Sequence, residues 1–359
     1  MKITIVGGGN IGTQFAVHCA EKGHDVIVFT SNPSIFQKKL RIVDDTGCIT
    51  HEGFINQATD HPEIAFTDRD LIFITYPADV IGNAAKLMTS YVNEKTIIGV
   101  VPGNGGSECV FRQFIENGNT FFLIERVPAI ARIVKKGETV KSTGYRSELH
   151  ISSLPQSKAS ECSDIVNQIF DMECKVIPYL LNLTLTPSNP ILHTTRLRTI
   201  FKEYQPGVTY DRVPLFYEEW NDESSELLLK CDDEVQKICK ALPEHHLENV
   251  KSLRDHYQSY TIQQMTNKIS GIPAFKGIKT PSVQIDGRYI PDLHSRYFTA
   301  DFSYGLSIIR QVAEFAGVDT PFIDETMEWY KNIAIEHNEF HYSDYGIHSK
   351  EEFDQFYLR

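Results

Sequence analysis

Apolar positions divide the chain into two parts with different periodicities. In the first part, short runs of β-branched and apolar residues alternate with helical patterns, which indicates a parallel sheet covered by helices. The predicted strands are 1–6, 25–29, 70–75, 96–101, 121–124 and 174–177, with short polar strands between 133 and 156 and helices over 13–22 and 158–170. From about residue 185, helical spacing dominates, in 224–242, 247–267, 304–316 and 321–335. We therefore predict an α/β domain over 1–182 and an all-helical domain over 183–359.

A glycine turn follows the first predicted strand. Gly7, Gly9 and Gly12 fit G-x-G-x-x-G and lead directly into the first helical pattern. The three glycines then serve a tight turn, the close approach of a pyrophosphate and the packing of helix on strand, with the phosphates at the helix N-terminus. The motif predicts a Rossmann domain that binds a nicotinamide dinucleotide; a glycine turn without a nucleotide is the alternative. The predicted cofactor-binding residues are Gly7, Gly9, Asn10, Ile11, Gly12, Thr30, Ser31 and Pro77.

The choice between NAD and NADP depends on the residues after the second strand. An acidic residue there would hydrogen-bond the ribose hydroxyls of NAD, and none is present. Thr30, Ser31 and Asn32 can hydrogen-bond a 2′-phosphate instead, and the cations nearby are Lys38, Lys39 and Arg41. The pattern favours NADPH but leaves NADH open, because turn and capping residues have the same composition.

Two further loops follow predicted parallel strands. Residues 102–106 (PGNGG) form a second glycine turn, and 125–132 (ERVPAIAR) follow the strand 121–124. The carboxyl ends of parallel strands share one edge of the sheet, where ligands bind. We therefore expect Asn104 and Arg126 to line the same cleft as the first glycine turn and to contact a substrate.

Composition narrows the function classes. A net charge of −12 argues against nonspecific binding to nucleic acid or to an anionic membrane. The seven cysteines form no C-x-x-C pair, so we expect reduced thiols and a cytoplasmic protein. No apolar run is long enough to span a membrane.

We predict no metal site: His337 and His341 stand four residues apart, but Glu339 would face another side of a helix. The aromatic tail is expected to pack down, and it gives a slight indication of a homodimer surface.

Five segments together resemble the opine dehydrogenases of the octopine/nopaline type. They are 7–12 (GGGNIG), 102–106 (PGNGG), 127–132 (VPAIAR), 189–193 (NPILH), and 295–301 (SRYFTAD) with 304–306 (YGL). The first segment is common to many enzymes, whereas the last two are much more specific. The resemblance runs over nearly the whole chain. It implies a Rossmann domain and a helical opine dehydrogenase domain, which bind their substrates between them. Such enzymes condense the amine of an amino acid with an α-keto acid, commonly pyruvate, and reduce the imine with NADH or NADPH.

The resemblance also implies the catalytic residues, namely His193 supported by Arg296 and Asp301. Histidine suits proton transfer near neutral pH because its unperturbed pKa is about 6.5. Asp301 would fix the tautomer of the imidazole, and Arg296 would hold a substrate carboxylate through two hydrogen bonds.

Several alternatives remain open. Within enzymes, the chain could be a 2-keto acid reductase similar to ketopantoate reductase, although the catalytic lysine and acid of that family cannot be placed here. Outside enzymes, it could be a dinucleotide sensor without activity. His193 could be a structural histidine, and Arg296 and Asp301 could form a salt bridge or a helix cap.

Overall fold

The chain folds into two compact units. The computed structural model describes residues 1–103, 105–186, 188–334 and 338–359. The first unit contains 1–184 together with 357–359, and the second contains 185–356.

The first unit is built on a mixed sheet of eight strands in the order β12-β11-β8-β7-β6-β1-β2-β5. These strands are β1 (Lys2–Val6), β2 (Asp25–Phe29), β5 (Gln57–Thr59), β6 (Leu71–Ile74), β7 (Ile97–Val100), β8 (Phe121–Ile124), β11 (Glu148–Leu154) and β12 (Glu173–Val176). The run from β8 to β5 is parallel throughout, and within it β8, β7, β6, β1 and β2 are the continuous apolar runs from which a parallel sheet was predicted. Strand β11 runs antiparallel to β8, and β12 has the same direction as β11. The carboxyl ends of β2, β1, β6, β7 and β8 therefore share one edge, as predicted.

A second, four-stranded sheet was only partly predicted. It has the order β4-β3-β10-β9, and its strands are β3 (Lys39–Val43), β4 (Ile49–Phe54), β9 (Ile130–Lys135) and β10 (Thr139–Thr143). The short polar strands predicted after residue 133 belong here and to β11. Strands β3, β4 and β5 were missed because charged and polar residues interrupt their apolar runs, namely Lys39 and Arg41 in β3, His51 and Glu52 in β4, and Gln57 in β5.

Helices cover the sheets of the first unit. They are α1 (Asn10–Glu21), α2 (Pro62–Phe66), α3 (Ala78–Met88), α4 (Ser107–Val110), α5 (Arg112–Glu116) and α6 (Ala159–Phe170). Phe15 of α1 meets the rings of Phe73 in β6 and Phe170 in α6, with centroids 5.1 and 4.7 Å apart. Aromatic pairs in this edge-to-face arrangement stabilise the contact between helix and sheet beyond simple burial. Helix α1 is thereby fixed in the core with its N-terminus at the glycine turn.

The second unit contains helices that were not predicted, including 189–200 and 296–299, and one predicted helix is divided in two. The helices of this unit are α7 (Leu181–Leu185), which begins in the first unit, α8 (Asn189–Ile200), α9 (Asp222–Ala241), α10 (Leu253–Tyr257), α11 (Ile262–Ser270), α12 (Arg296–Thr299), α13 (Ser307–Ala316), α14 (Pro321–Ile333) and α15 (Lys350–Tyr357), whose last residue belongs to the first unit. The single helix predicted over 247–267 was wrong. Ser252 and Thr261 each cap a new helix with their side chains, and Gln258 between them adopts φ +50°, which ends α10.

Two further features of the second unit concern its strands and its tail. A hairpin of β13 (Ser282–Ile285) and β14 (Arg288–Pro291) interrupts the helices, with Gly287 at φ +80° in the turn. The tail packs down as expected, since its aromatic side chains Phe340, Tyr342, Phe353 and Phe356 are buried within the chain. Burial removes these rings from any exposed surface, so they do not support the homodimer suggested from the tail.

Candidate active site and cofactor cradle

The glycine turn between β1 and α1 has the geometry of a dinucleotide cradle. Gly7 adopts φ +116°, which favours glycine. A Cβ on Gly12 would lie 1.7 Å from the carbonyl oxygen of Gly7, so only glycine lets α1 approach the strand this closely. A Cβ on Gly9 would meet no atom within 4 Å and would project into open space, where a pyrophosphate would lie. The three glycines thus fit the dinucleotide that the motif predicts.

The N-terminus of α1 leaves its first backbone N–H groups available. Gly9 is the N-cap residue and no side chain caps the helix. The first N–H groups of a helix have no partner inside it, and the helix dipole adds positive potential there. The side chain of Asn10 is already used, because its Oδ1 accepts a hydrogen bond of 2.7 Å from the backbone N–H of Ile133 in β9. Asn10 and Ile11 can therefore bind phosphate through their backbone rather than through their side chains.

The other predicted cofactor residues lie at the same edge of the sheet. Thr30 and Ser31 follow β2, with Thr30 buried and Ser31 exposed. Exposed Pro77 is the N-cap residue of α3, which follows β6. Asn104, predicted to contact substrate, lies outside the described residues. Its neighbours Gly105 and Gly106 both adopt positive φ, at +71° and +67°, and lead into α4.

The three cations near the second strand have different environments. Lys39 pairs with Glu52 at 2.8 Å, and Arg41 pairs with Glu138 at 3.4 Å. Lys38 is exposed, and among the described residues its side chain has no acidic partner. Lys38 is therefore the cation most available to a 2′-phosphate.

Arg126 is engaged in a local ion-pair cluster. Its Nε donates to Glu125 Oε1 at 2.9 Å, and His150 Nδ1 lies 2.6 Å from the other oxygen of that carboxylate. Although burial opposes ionisation, these bonds to His150 and Arg126 lower the pKa of Glu125 to about 2. Arg126 therefore stands at the carboxyl end of β8, as predicted, but a substrate carboxylate would compete with Glu125 for its guanidinium.

In the second unit, His193 is held between two polar partners. Its Nδ1 lies 2.7 Å from Asp301 Oδ2, and its Nε2 lies 2.7 Å from the hydroxyl of Tyr217. The histidine is only 4% exposed. Asp301 forms no ion pair with Arg296 and caps no helix through its side chain. His193 and Asp301 are both predicted catalytic residues and stand 108 residues apart in the chain. The fold brings their side chains into direct contact.

Local sequence explains why these two side chains meet. Pro190 lies in the first turn of α8, where proline is favoured, and His193 follows one turn later. Residues 302–306 form one turn of π-helix directly after Asp301. A Cβ on Gly305 would lie 2.7 Å from Pro190 Cγ, so glycine at this position lets the π-turn pack against the start of α8. The segment 304–306 (YGL), which lies in this turn, therefore helps to place Asp301 beside His193.

Tyr217 was missed by the sequence analysis. It lies in a segment without helical or strand periodicity, held by the buried Arg196, whose Nε donates to Phe216 O at 2.8 Å and whose Nη2 donates to Glu219 O at 2.7 Å. The Tyr217 ring also stacks on Phe275 with centroids 4.1 Å apart. Burial, with Tyr297 nearby, raises the pKa of Tyr217 well above its usual value, so the phenol stays protonated.

Arg296 lies beside this group, and within the described part of the chain its guanidinium has no acidic partner. The side chain is exposed, and its guanidinium carbon lies 5.9 Å from the centre of the Tyr297 ring. Tyr297 in turn packs against His193 with centroids 4.4 Å apart. The arrangement supplies an acid–base group, an acid that orients it and a free cation on neighbouring residues. Such a group can move a proton and hold a carboxylate.

Two parts of the chain match models of known protein families. Residues 176–334 match the family model described as the α-helical domain of NAD/NADP octopine/nopaline dehydrogenase, and 2–103 match a model of coenzyme F420-dependent NADP oxidoreductases. A tauropine dehydrogenase from Arabella iricolor is 25% identical over 77% of this chain and 74% of its own length. An opine dehydrogenase from Arthrobacter is 26% identical over 92% of this chain and 89% of its own.

One solved structure extends the likeness to the fold. A structure of octopine dehydrogenase with NADH and L-arginine has a TM-score of 0.85, with 21% identity over 98% of this chain and 97% of that one. Among the described residues, no helix has the length and apolar character needed to cross a membrane.

Proposed function

Since the chain belongs to the opine dehydrogenase family and is an NAD(P)-dependent oxidoreductase acting on CH–NH bonds, we propose that His193, Asp301 and Arg296 carry its reaction. The reaction is the reductive condensation of an amino acid with an α-keto acid through an imine. The observation that supports this assignment best is the placement of His193 between Asp301 and Tyr217 at 2.7 Å each.

The hydrogen bonds of His193 define how it handles protons. Asp301 accepts from Nδ1–H, so the neutral ring presents its lone pair at Nε2. The incoming amino acid is an ammonium ion and must lose a proton before its nitrogen can attack the keto carbon. Nε2 takes that proton, and Asp301 stabilises the imidazolium that forms. The imidazolium later returns the proton to the hydroxyl of the carbinolamine, which leaves as water when the imine forms.

Tyr217 occupies Nε2 before substrate binds. Its protonated hydroxyl donates to the neutral ring and, once the ring is charged, can accept from Nε2–H. Substrate must therefore displace this hydroxyl or exchange protons through it. We propose that Tyr217 keeps the ring in place between turnovers.

Arg296 is the proposed clamp for the keto acid. Its guanidinium is free of acidic partners among the described residues and matches a carboxylate with two parallel hydrogen bonds. Holding the carboxylate fixes the direction of the neighbouring carbonyl, which lowers the entropy cost of imine formation. Pyruvate is the keto acid that we propose first, in keeping with the family resemblance. Arg126 and Asn104 remain proposed contacts of the amino acid.

The cradle fits a nicotinamide dinucleotide. Gly7, Gly9 and Gly12 leave the space that a pyrophosphate needs, and the bound cofactor supplies the hydride that reduces the imine.

We propose NADPH rather than NADH, with Thr30, Ser31 and Lys38 at the 2′-phosphate. Lys38→Ala should raise the KM for NADPH about tenfold and leave NADH unaffected. Lys39→Ala is the matched control, because Lys39 is paired with Glu52. Equal effects on both cofactors would contradict the proposal.

A substrate panel tests the function directly. NADH and NADPH oxidation is followed with pyruvate and other α-keto acids, each combined with a series of amino acids, and the product is identified by mass. We expect oxidation that requires both substrates and a secondary amine as product. In His193→Ala, turnover should fall about 10²–10⁴-fold while NADPH binding, measured by fluorescence, is kept. Oxidation with a keto acid alone would instead support a 2-keto acid reductase.

We further propose a cytoplasmic location, which the free state of the seven cysteines supports. Activity confined to the cytosolic fraction of the source cells is the expected result.

A further inference from the structure

Three metal-binding side chains meet at the end of α1 that is remote from the glycine turn. His18 and Glu21 lie in the last turns of α1, and His51 lies in β4 of the small sheet. One ligand atom from each side chain lies within 4.8 Å of the others. The two imidazole centroids are 4.6 Å apart, and His18 is only 3% exposed.

We propose that His18, Glu21 and His51 form a binding site for a divalent transition-metal ion, with Zn²⁺ as the best match. Two imidazoles and one carboxylate are a ligand set that Zn²⁺ accepts, with a water as fourth ligand. Ligand atoms around tetrahedral zinc stand about 3.3 Å from one another. His51 Nδ1 and Glu21 Oε2 already lie 2.8 Å apart, so small side-chain rotations bring the set to this geometry.

The backbone holds the three ligands in place without the metal. A Cβ on Gly53 of β4 would lie 2.7 Å from Ala20 Cβ and 2.8 Å from Val17 O, so the strand rests directly on α1. This close contact fixes His51 against the helix that carries the other two ligands. A site whose ligands stand on packed elements loses little conformational entropy when it binds.

The charges around the site also suit a cation. Lys22, directly after α1, forms an ion pair with Asp171, which partly offsets its positive charge. Tyr145 completes the surroundings, with its hydroxyl 3.4 Å from His18 Nε2, which is too long for a strong hydrogen bond.

A second cluster with similar ligands differs in one decisive respect. Glu244, His245 and Asp354 also lie within metal-binding distance of one another. There, however, the ammonium group of Lys350 already contacts both carboxylates. A cation therefore occupies that position already, whereas no lysine or arginine is bonded to Glu21 among the described residues.

Sequence spacing gave no sign of the site at α1. His18 and Glu21 are three residues apart, but the third ligand comes 30 residues after Glu21, from a strand that the pattern did not predict. The prediction that the chain has no metal site was argued from the C-terminal histidines alone. It did not consider His18, Glu21 or His51.

The test is zinc binding by the full chain after removal of metals with EDTA. We expect one Zn²⁺ per chain by calorimetry, a tetrahedral absorption spectrum with Co²⁺, and a rise in Tm of about 2 °C or more at saturating zinc. His51→Ala should weaken binding by at least about 100-fold, and Glu21→Gln should weaken it as well. His61→Ala is the control, because His61 is exposed with acidic neighbours on both sides but lies outside the cluster.

The outcomes separate clearly. Loss of zinc binding in His51→Ala and Glu21→Gln, with an unchanged Tm in EDTA, supports the site. The same affinity in all variants, or no stoichiometric binding at pH 7.5, would overturn it. These readouts do not depend on turnover, so they stand apart from a failure of the proposed reaction.

Discussion

At the scale of single residues, Asp301 decides which nitrogen of His193 carries the proton. The carboxylate accepts from Nδ1–H, which leaves Nε2 facing Tyr217. An amide at position 301 can donate as well as accept, so it can turn the imidazole into the other tautomer. In the proposed mechanism, the proton transfer by His193 is thus controlled by a residue that need not touch substrate.

The corresponding prediction concerns Asp301→Asn. We expect kcat to fall about 10²–10⁴-fold, because the ring loses both its correct tautomer and the partner that stabilises its charged form. NADPH affinity should not change. Asp292→Asn is the control, since Asp292 only accepts from the backbone N–H of His294 in a nearby turn. Full activity in Asp301→Asn would show that the contact with His193 is structural only.

Among the elements, α1 ties the cofactor cradle to the core of the first unit. Its glycines have separate physical tasks, and the structure lets these tasks be told apart. Gly12 is needed for packing, because its Cβ would clash with the backbone of Gly7, whereas Gly9 faces open space.

This difference predicts an unusual result for Gly9→Ala. Gly9 has φ −87°, which alanine adopts easily, so the fold and the Tm should not change. The new methyl group would occupy the space that the pyrophosphate requires, so the Kd for NAD(P)H should rise about 10–100-fold. Gly82→Ala, where a Cβ also meets no atom, is the control and should bind cofactor normally. Unchanged affinity in Gly9→Ala would place the pyrophosphate elsewhere.

The junction of α9 and α10 carries a pH-dependent contact. Asp232 of α9 accepts a hydrogen bond of 2.9 Å from the backbone N–H of Leu253, yet burial raises its pKa from 3.8 to about 6. Between these two values the folded protein holds a proton that the unfolded chain releases. The free energy of unfolding therefore falls as the pH rises from 3.8 to 6, by about 3 kcal/mol at most.

Asp232→Asn should remove this loss. The amide oxygen still accepts from Leu253 and cannot ionise, so the variant should be more stable than the wild type above pH 6 and show a flatter pH profile. Urea unfolding between pH 4 and 8 measures both effects. Asp233→Asn is the control, because Asp233 is exposed and pairs with Arg254, whose guanidinium also lies 3.8 Å from Asp232. If the free energy of unfolding of Asp232→Asn depended on pH as in the wild type, the raised pKa of the buried Asp232 would not be the cause of the loss.

The elements also differ in whether the sequence predicted them. Parallel strands such as β6 and β8 were predicted because burial on both faces demands continuous apolar runs. The small sheet lacks this signal, since β4 is largely exposed. The break between α10 and α11 depends on a left-handed Gln258, a conformation that apolar periodicity does not encode.

For the whole molecule, the fold class followed from hydrophobic periodicity and the glycine motif, and the pairing of His193 with Asp301 followed from the family resemblance. Tyr217 and the proposed metal ligands were not predicted. The motifs place residues by type and spacing along short segments. Tyr217 reaches the site through the buried Arg196, and His51 reaches α1 through the packing of Gly53. Both depend on tertiary contacts between segments that have no common pattern.

The first unit also includes residues from the far end of the chain. Tyr357 donates a hydrogen bond of 2.6 Å to the fully buried Glu108 in α4, which also accepts from Thr184. Burial raises the pKa of Glu108, and its second oxygen has no partner among the described residues. The stability of buried Glu108 therefore depends on the hydrogen bonds that Tyr357 and Thr184 donate to it.

Tyr357→Phe should destabilise the protein by about 1–3 kcal/mol, because it removes a donor from a buried acid. The urea unfolding midpoint measures the loss. Tyr260→Phe, which alters a largely exposed tyrosine, should have almost no effect. Equal midpoints for both variants would mean that Glu108 is satisfied without Tyr357.

The same contact has a consequence for biosynthesis. A ribosome makes the strands β1 to β12 well before it reaches Tyr357, so Glu108 gains its Tyr357 partner only late in synthesis. The Rossmann unit is therefore expected to emerge early in an unfinished, less stable form and to be completed only when the far end of the chain returns to it. Nascent chains stalled before residue 357 should be more sensitive to protease than released ones.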